Sequence, residues 1–157
     1  MSLTYPVATE RGTSMPKIAR TNSPVESGKI VMVVTGQTLD RTILWDAAER
    51  FGWHLLLGRG LDVFRSAESY DIAAILFDPE GVEGTWMGSI GILKGIYPGV
   101  PLIACLNITE SAHWPLLRDS GVFHAIHVPL LDREVFQSFG FAWAASSRKA
   151  IHHLSAA

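Results

Sequence analysis

The sequence lacks most features of secreted, membrane-spanning or nucleic-acid-binding proteins. It has one cysteine, Cys105, so no disulfide framework or cysteine-based zinc spacing is possible. No apolar run approaches the ~20 residues that span a bilayer, and the N-terminus lacks the apolar core of a signal peptide. The formal net charge of −2 gives no electrostatic basis for binding nucleic acid. We therefore expect a cytoplasmic protein with neither a membrane nor a nucleic-acid partner.

Apolar residues are abundant enough for a folded core. The chain has 157 residues, of which 48% are hydrophobic and 18% are charged, and this fits one domain. Residues 1–28 differ, because they carry proline, glycine, serine and threonine without an apolar period. We interpret residues 1–28 as a flexible tail and residues 29–157 as the domain. Cys105 lies in the apolar run PLIACL, which favours an inert thiol in the core.

Five apolar runs predict five strands, at residues 29–34, 53–57, 72–77, 101–106 and 123–128. The third run, Ile72–Phe77, is apolar throughout, which is typical of a strand buried on both faces of a parallel sheet. Helices are predicted between the strands and after the last, near residues 40–51, 61–69, 89–96, 109–120 and 133–154. This alternation predicts an α/β domain of three layers.

Three details of the helices are also predicted. A four-residue repeat predicts the inward face of the first helix, formed by Leu39, Ile43, Ala47 and Phe51. Closely spaced glycines predict a mobile connection around Trp86, formed by Gly81, Gly84 and Gly88. Thr109 or Ser111 is expected to cap the fourth helix.

Asp78 directly follows the third strand. In open parallel sheets, ligands bind beyond the carboxyl ends of the strands, so Asp78 is the first candidate site residue. Asp-Pro is also a common start of a turn, and a purely structural role for Asp78 is the alternative.

Three stretches, YDIAAILFDPEG, YPGVPLIACL and GVFHAIHVPL, occur in an order and spacing that resemble the receiver domain of two-component response regulators. The resemblance covers about residues 29–150. It implies a flavodoxin-like fold, a five-stranded parallel sheet in the order 2-1-3-4-5 with helices on both faces. It also implies that Asp78 stands at the position of the phosphorylated aspartate.

The other positions that the family uses for phosphotransfer are changed. Receivers hold magnesium with an acidic pair after the first strand, and they use a hydroxyl residue after the fourth strand, a lysine before a proline after the fifth, and an aromatic residue in the fifth. Here these positions are occupied by Thr35 and Gly36, by Leu106 (or Asn107 if the register differs by one), by Val128 and by Ala125. The resemblance therefore implies a pseudo-receiver, a non-catalytic signalling or protein-interaction module without a metal or cofactor.

Two other functions stay open at this point. Residues 34–38 (VTGQT) suggest the phosphate loop of a flavodoxin, and residues 84–88 could supply Trp86 to stack on a flavin. Alternatively, Asp78 could be an atypical phosphoacceptor.

The last helix carries more aromatic residues than one inward stripe needs. Surplus aromatic residues on a helix favour an interface. We predict an interface formed by Trp114, Leu117, Phe136, Phe139 and Trp143. It would support a homodimer or the docking of a protein partner, such as a signalling kinase or effector.

Overall fold

The structure, a computed structural model, describes residues 29–60 and 70–156, with side chains described as far as residue 146. The predicted tail at residues 1–28 and the predicted helix at residues 61–69 lie outside the described residues. The described elements are β1 (Ile30–Val34), α1 (Arg41–Arg50), β2 (His54–Gly58), β3 (Ile72–Phe77), α2 (Pro79–Val82), α3 (Trp86–Ile96), β4 (Leu102–Leu106), a 3₁₀ helix (Ile108–His113), α4 (Trp114–Asp119), β5 (His124–His127) and α5 (Asp132–Ala156).

The five strands form one parallel sheet in the order β2-β1-β3-β4-β5. This is the order 2-1-3-4-5, so the predicted topology is confirmed. β3 lies at the centre of the sheet, and all six of its residues are buried. Because the strands are parallel, the carboxyl ends of β1, β3 and β4 lie at the same edge, where Asp78 follows β3.

Each face of the sheet carries its own hydrophobic core. One core contains alternate residues of β1, such as Met32, and is covered by α3 and α4 through Leu93 and Leu117. The opposite core contains the intervening residues, such as Val33, and is covered by α1 and α5. The two sets alternate because successive strand residues point to opposite faces. The three predicted layers follow from this alternation.

The buried stripe of α1 differs from the predicted one. Its buried residues are Leu44, Ala47 and Ala48. Of the four predicted positions only Ala47 is buried, and the other three are half-buried. A strict four-residue repeat drifts around the helix by about 40° at each step, whereas alternating three- and four-residue spacings stay on one face.

The predicted connection around Trp86 is wrong in its extent, because Trp86 and two of the three glycines lie in helices and the connection covers only residues 83–85. Gly81 lies within α2 and Gly88 within α3. The hydroxyl of Thr85 caps α3 by accepting the backbone N–H of Gly88 at 3.1 Å. α3 therefore begins at Trp86, three residues before the predicted start.

The cap after β4 also differs from the prediction. Asn107, and neither Thr109 nor Ser111, caps the 3₁₀ helix that precedes α4. Its side chain accepts the backbone N–H of Glu110 at 2.9 Å, and Glu110 accepts the backbone N–H of Asn107 at 3.0 Å. This reciprocal capping box satisfies two donors that a helix start would otherwise leave unpaired.

α5 is the longest described helix, with 25 residues. Its inward stripe consists of Val135, Phe139 and Ala142, all fully buried. Neither α5 nor any other helix of the described chain combines the length and the apolarity needed to cross a membrane.

Phe139 is fully buried and contacts Trp53, with ring centroids 5.8 Å apart. We expect Phe139→Ala to lower the free energy of unfolding by about 3–5 kcal/mol, because it removes core contacts and leaves a cavity. Urea denaturation followed by circular dichroism measures the loss. Phe141→Ala, on the same helix but 46% exposed, is the control and is expected to cost less than about 1 kcal/mol. Equal losses in the two variants would contradict the assignment of Phe139 to the core.

Candidate functional site

The carboxylate of Asp78 is buried and accepts three hydrogen bonds at the end of β3. The side chain belongs to a residue that is only 2% exposed. Its Oδ1 accepts the backbone N–H groups of Gly36 at 3.0 Å and Gly81 at 2.9 Å. Its Oδ2 accepts Nε2 of Gln37 at 2.8 Å. The carboxylate therefore joins the loop after β1 to α2, and its burial is compensated by donors on both sides.

Asp78 takes this position because it is the N-cap of α2. Its backbone is extended, with φ −137° and ψ 167°, and Pro79 occupies the first turn of the helix. Aspartate is among the preferred N-cap residues, and proline is favoured at the first helical position. The Asp-Pro pair, which the sequence indicates as a turn, is therefore the start of a helix.

Gly36 and Gly81 allow the loop after β1 and α2 to approach closely. A Cβ built on Gly81 would lie 2.6 Å from the Cα of Thr35 and 2.5 Å from the carbonyl oxygen of Val34. A Cβ built on Gly36 would lie 2.6 Å from the Cβ of Glu80. Neither glycine can gain a side chain unless the loop or the helix moves. Glu80 thus occupies the space into which a side chain at position 36 would extend.

The loop after β1 is held by further bonds. The hydroxyl of Thr35, a buried residue, donates to the carbonyl oxygen of Gln37 at 3.0 Å. Arg59, which follows β2, donates from Nη2 to the carbonyl oxygen of Gly36 at 2.7 Å. The loop is therefore fixed to β2 by Arg59 and to α2 by Asp78.

The residues that follow β4 and β5 supply no charge to this edge. Leu106 is the last residue of β4 and is buried, whereas Asn107 is exposed and uses its side chain as a cap. Val128 is half-buried, packs against the core on the α5 side and donates its backbone N–H to Leu106 at 2.9 Å. Ala125 packs against the opposite core. These neutral side chains therefore pack against the cores or cap a helix, and they place no charge beside Asp78.

Several solved structures share this fold at low sequence identity. NtrX from Brucella abortus in complex with ADP is similar with a TM-score of 0.67 and 11% identity, over 81% of this chain and 30% of that one. A response regulator from Thermotoga maritima is similar with a TM-score of 0.62 and 14% identity, over 73% of this chain and 97% of that one. This chain has the receiver fold of response regulators. It spans only 30% of the length of the NtrX chain.

A third similar structure is a receiver domain with a metal. It is the receiver domain of the sensor histidine kinase PA1611 from Pseudomonas aeruginosa PAO1, which has a magnesium ion coordinated in its active site cleft. Its TM-score is 0.55 at 19% identity, over 71% of this chain and 94% of that one. No family model and no curated protein matches the chain.

The residues at this edge do not fit a magnesium ion. Mg²⁺ prefers carboxylate and water oxygens in octahedral geometry. Both oxygens of Asp78 already accept N–H donors, Thr35 and Gly36 provide no carboxylate, and Glu80 adds a single carboxylate beside Gly36. Across residues 29–60 and 70–156, no group of three histidine, cysteine, aspartate or glutamate side chains could hold a metal ion. This receiver fold therefore stabilises its central aspartate with neutral N–H donors.

The residues considered for a flavin serve the packing of the domain. Trp86 lies in the first turn of α3, packs against the core and makes an edge-to-face contact with Phe77, with ring centroids 5.8 Å apart. The hydroxyl of Thr35 is bonded to Gln37. The structure therefore gives both residues intramolecular partners.

The structure separates the residues of the predicted interface. Leu117 and Phe139 are fully buried and lie in opposite cores, so the prediction is wrong for both. Trp114 packs partly against the core that contains Leu117. Phe136 and Trp143, by contrast, are 40% and 50% exposed on α5. Because α4 and α5 cover opposite faces of the sheet, Trp114 does not extend the surface formed by Phe136 and Trp143.

Phe51 joins these two exposed residues into one surface. The ring of Phe51 lies 5.4 Å from that of Phe136 and 6.4 Å from that of Trp143, between centroids. Below it, Trp53 is buried and stacks on Phe51 at 5.0 Å. We call Phe51, Phe136 and Trp143 the aromatic surface. The sequence pattern placed Phe51 on the inward face of α1, and no local signal indicated that it reaches α5.

β4 and β5 contain three titratable side chains: His124 and His127 contact other side chains, and Cys105 is buried in the core. His127 is bound twice by Glu134, through its Nδ1 at 2.9 Å and through its backbone N–H at 3.0 Å. His124 makes an edge-to-face contact with Phe141, and burial lowers the pKa of His124. Cys105 is fully buried in the core, as predicted, and its burial raises the pKa of its thiol far above the usual range.

The approach of Gly81 to the β1 loop can be tested by adding a methyl group. We expect Gly81→Ala to lower the free energy of unfolding by about 1–3 kcal/mol, because its Cβ would overlap backbone atoms. Gly91→Ala in α3 is the matched control, since a Cβ there meets nothing within 4 Å. The control is expected to raise stability by about 0.5–1 kcal/mol. Thermal denaturation compares the two, and a stabilising Gly81→Ala would contradict the close contact.

The role of Asp78 as an acceptor predicts the effect of removing it. We expect Asp78→Ala to lower the free energy of unfolding by about 2–4 kcal/mol, because the N–H groups of Gly36 and Gly81 lose their buried partner. Asp78→Asn keeps one oxygen for these donors and is expected to cost less. Urea denaturation measures both variants, with the exposed Asp119→Ala as the control. An increase in the free energy of unfolding in Asp78→Ala would contradict this role. It would indicate that Asp78 is repelled by other carboxylates in its pocket.

Proposed function

We propose that this protein is a non-catalytic signalling module with a receiver fold, which acts by binding other proteins. The observation that carries the proposal is the carboxylate of Asp78, whose two oxygens accept three hydrogen bonds inside the fold. A phosphoacceptor must present a carboxylate oxygen to a phosphodonor. Asp78 is 2% exposed, and donors fill three of the about four acceptor sites of its two oxygens.

The charges around Asp78 support the same proposal. Phosphoryl transfer depends on positioning and on positive charge that stabilises the oxygens of the transferred group. Thr35, Gly36 and Val128 carry no charge, and the side chain of Asn107 is bonded to Glu110 and Thr109. The metal and the lysine that the family uses have no counterparts among these residues.

The proposed biological setting is a pathway of the two-component type. The similar structures include a response regulator and the receiver domain of a sensor histidine kinase. We propose a kinase or an effector of such a pathway as the protein partner. The cytoplasmic location, and the absence of a membrane or nucleic-acid partner, remain predictions from the sequence.

A module of this kind would not switch between two conformations, so its partner-binding surface would stay the same. In the described chain, Asp78 fastens the β1 loop to α2 through Gly36, Gln37 and Gly81. Regulation would then come from the amount of protein or of its partner. We further propose that one such partner is a second copy of the chain.

The proposal predicts that the protein is not labelled by a small phosphodonor. We expect incubation with radiolabelled acetyl phosphate and Mg²⁺ to leave the intact chain unlabelled, because the metal and the charge that assist transfer are missing. An active receiver domain under the same conditions serves as the positive control. Isothermal titration with MgCl₂ alone is expected to show no saturable binding.

Two variants sharpen this test. Asp78→Asn removes the only residue that matches the family phosphoacceptor, and Asp119→Asn changes an exposed carboxylate elsewhere. Stoichiometric labelling of the wild type and of Asp119→Asn, lost in Asp78→Asn, would refute the proposal. It would establish Asp78 as an atypical phosphoacceptor.

A further inference from the structure

The aromatic surface is continuous along two turns of α5. Phe136 and Trp143 are seven residues apart, so they lie about 10.5 Å apart along the helix axis. Gly140 lies between them on this side of α5, and a Cβ built there would lie 3.7 Å from Cζ of Phe51. The ring of Phe51 packs over the helix at Gly140 and contacts the rings of both Phe136 and Trp143. The three rings therefore form one apolar strip across α1 and α5.

A charged groove continues from this strip. The groove has a volume of about 310 Å³ and is lined by Ile43, Asp46, Ala47, Arg50, Asp132, Arg133 and Phe136. The guanidinium of Arg50 lies 4.8 Å from the centroid of the Phe136 ring, which places a cation over the aromatic face. The groove and the aromatic surface thus share Phe136.

The charges of the groove are balanced. It contains two aspartates, Asp46 and Asp132, and two arginines, Arg50 and Arg133. In the part of the chain that the structure describes, no ion pair engages these four side chains. A partner of strongly acidic or basic character would oppose half of these charges. A surface with the same two acids and two bases can pair each charge with its opposite across a two-fold axis.

The size of the surface suits a weak contact. Side chains of phenylalanine and tryptophan bury roughly 150–250 Å² each. With Phe136 at 40% and Trp143 at 50% exposure, two copies could bury roughly 300–400 Å² of aromatic area. Specific interfaces bury about 1,200–2,000 Å² in total, so the groove and α1 would have to supply most of the rest. An apolar, aromatic centre surrounded by a charged rim is the usual arrangement of residues in protein–protein interfaces.

We propose that the aromatic surface and the adjoining groove form an isologous interface with a second copy of this chain. This inference rests on the proposed interaction function and names the partner of the surface. The contact joins α1 and α5 of one copy to α1 and α5 of the other. It leaves Trp114 and Leu117 outside, in contrast to the interface predicted from the sequence.

Sedimentation velocity of the intact protein over a range of concentrations tests the proposal. We expect reversible dimers with a dissociation constant of about 10–100 µM. Trp143→Gln and Phe136→Gln are each expected to weaken the dimer at least about tenfold, since aromatic residues at an interface centre dominate its affinity. Phe141→Gln, equally exposed on another side of α5, is the control and should leave the dimer unchanged.

A charge variant makes the test independent of the aromatic residues. Asp46→Arg leaves the groove with one acid and three bases, so two copies would repel each other, and we expect the dimer to weaken about tenfold. If the circular dichroism spectrum shows that an aromatic variant is unfolded, the Asp46→Arg variant alone serves as the test, because Asp46 is exposed. A wild type that stays monomeric, or a dimer that neither Trp143→Gln nor Asp46→Arg weakens, would overturn the proposal.

The proposed non-catalytic function and the proposed interface are tested by independent experiments, so either can be refuted without the other. Sedimentation needs no phosphodonor, so a monomeric protein would overturn the interface and leave the labelling experiment unaffected. Labelling of Asp78 would refute the non-catalytic function whatever the oligomeric state.

Discussion

The buried carboxylate of Asp78 is the constraint on which the arrangement at the carboxyl edge of the sheet depends. An ionised group at 2% exposure is stable only if donors surround it. Here the donors are the backbone of Gly36, the backbone of Gly81 and the amide of Gln37. To bring them together, α2 has to lie directly against the loop after β1. That approach requires glycine at positions 36 and 81, because a Cβ at either would overlap its neighbours.

A structure with a similar fold holds a metal ion, whereas the residues of this chain surround Asp78 with neutral donors. The receiver domain of PA1611 has a magnesium ion coordinated in its active site cleft. In this chain, neutral N–H groups hold the aspartate, and Glu80 occupies the space beside Gly36. A metal brings waters and exchangeable positions, whereas backbone donors bring a fixed geometry. The same contacts therefore account for the compact packing of this edge and for the proposed loss of phosphotransfer.

The proposed interaction surface lies on the side of the domain where α5 meets α1. α5 has two roles, because Phe139 fills the core while Phe136 and Trp143 remain accessible. Phe51 connects them because α1 ends beside α5, where its ring packs against both aromatic side chains. Since a fixed site at Asp78 would not change this surface, the two proposals are physically compatible.

The sequence by itself determined the parallel α/β class, because long apolar strands alternating with amphipathic helices have few stable arrangements. It also determined that Asp78 follows a buried strand and that the positions corresponding to the acidic pair, the hydroxyl residue and the lysine of the family are neutral. Tertiary structure alone decided which atoms surround Asp78, since Gly36 and Asp78 are 42 positions apart. It likewise decided that Leu117 and Phe139 are core residues and that Phe51 reaches α5. Local periodicity indicates which face of an element is apolar, but the angle and distance at which elements pack determine which residues meet.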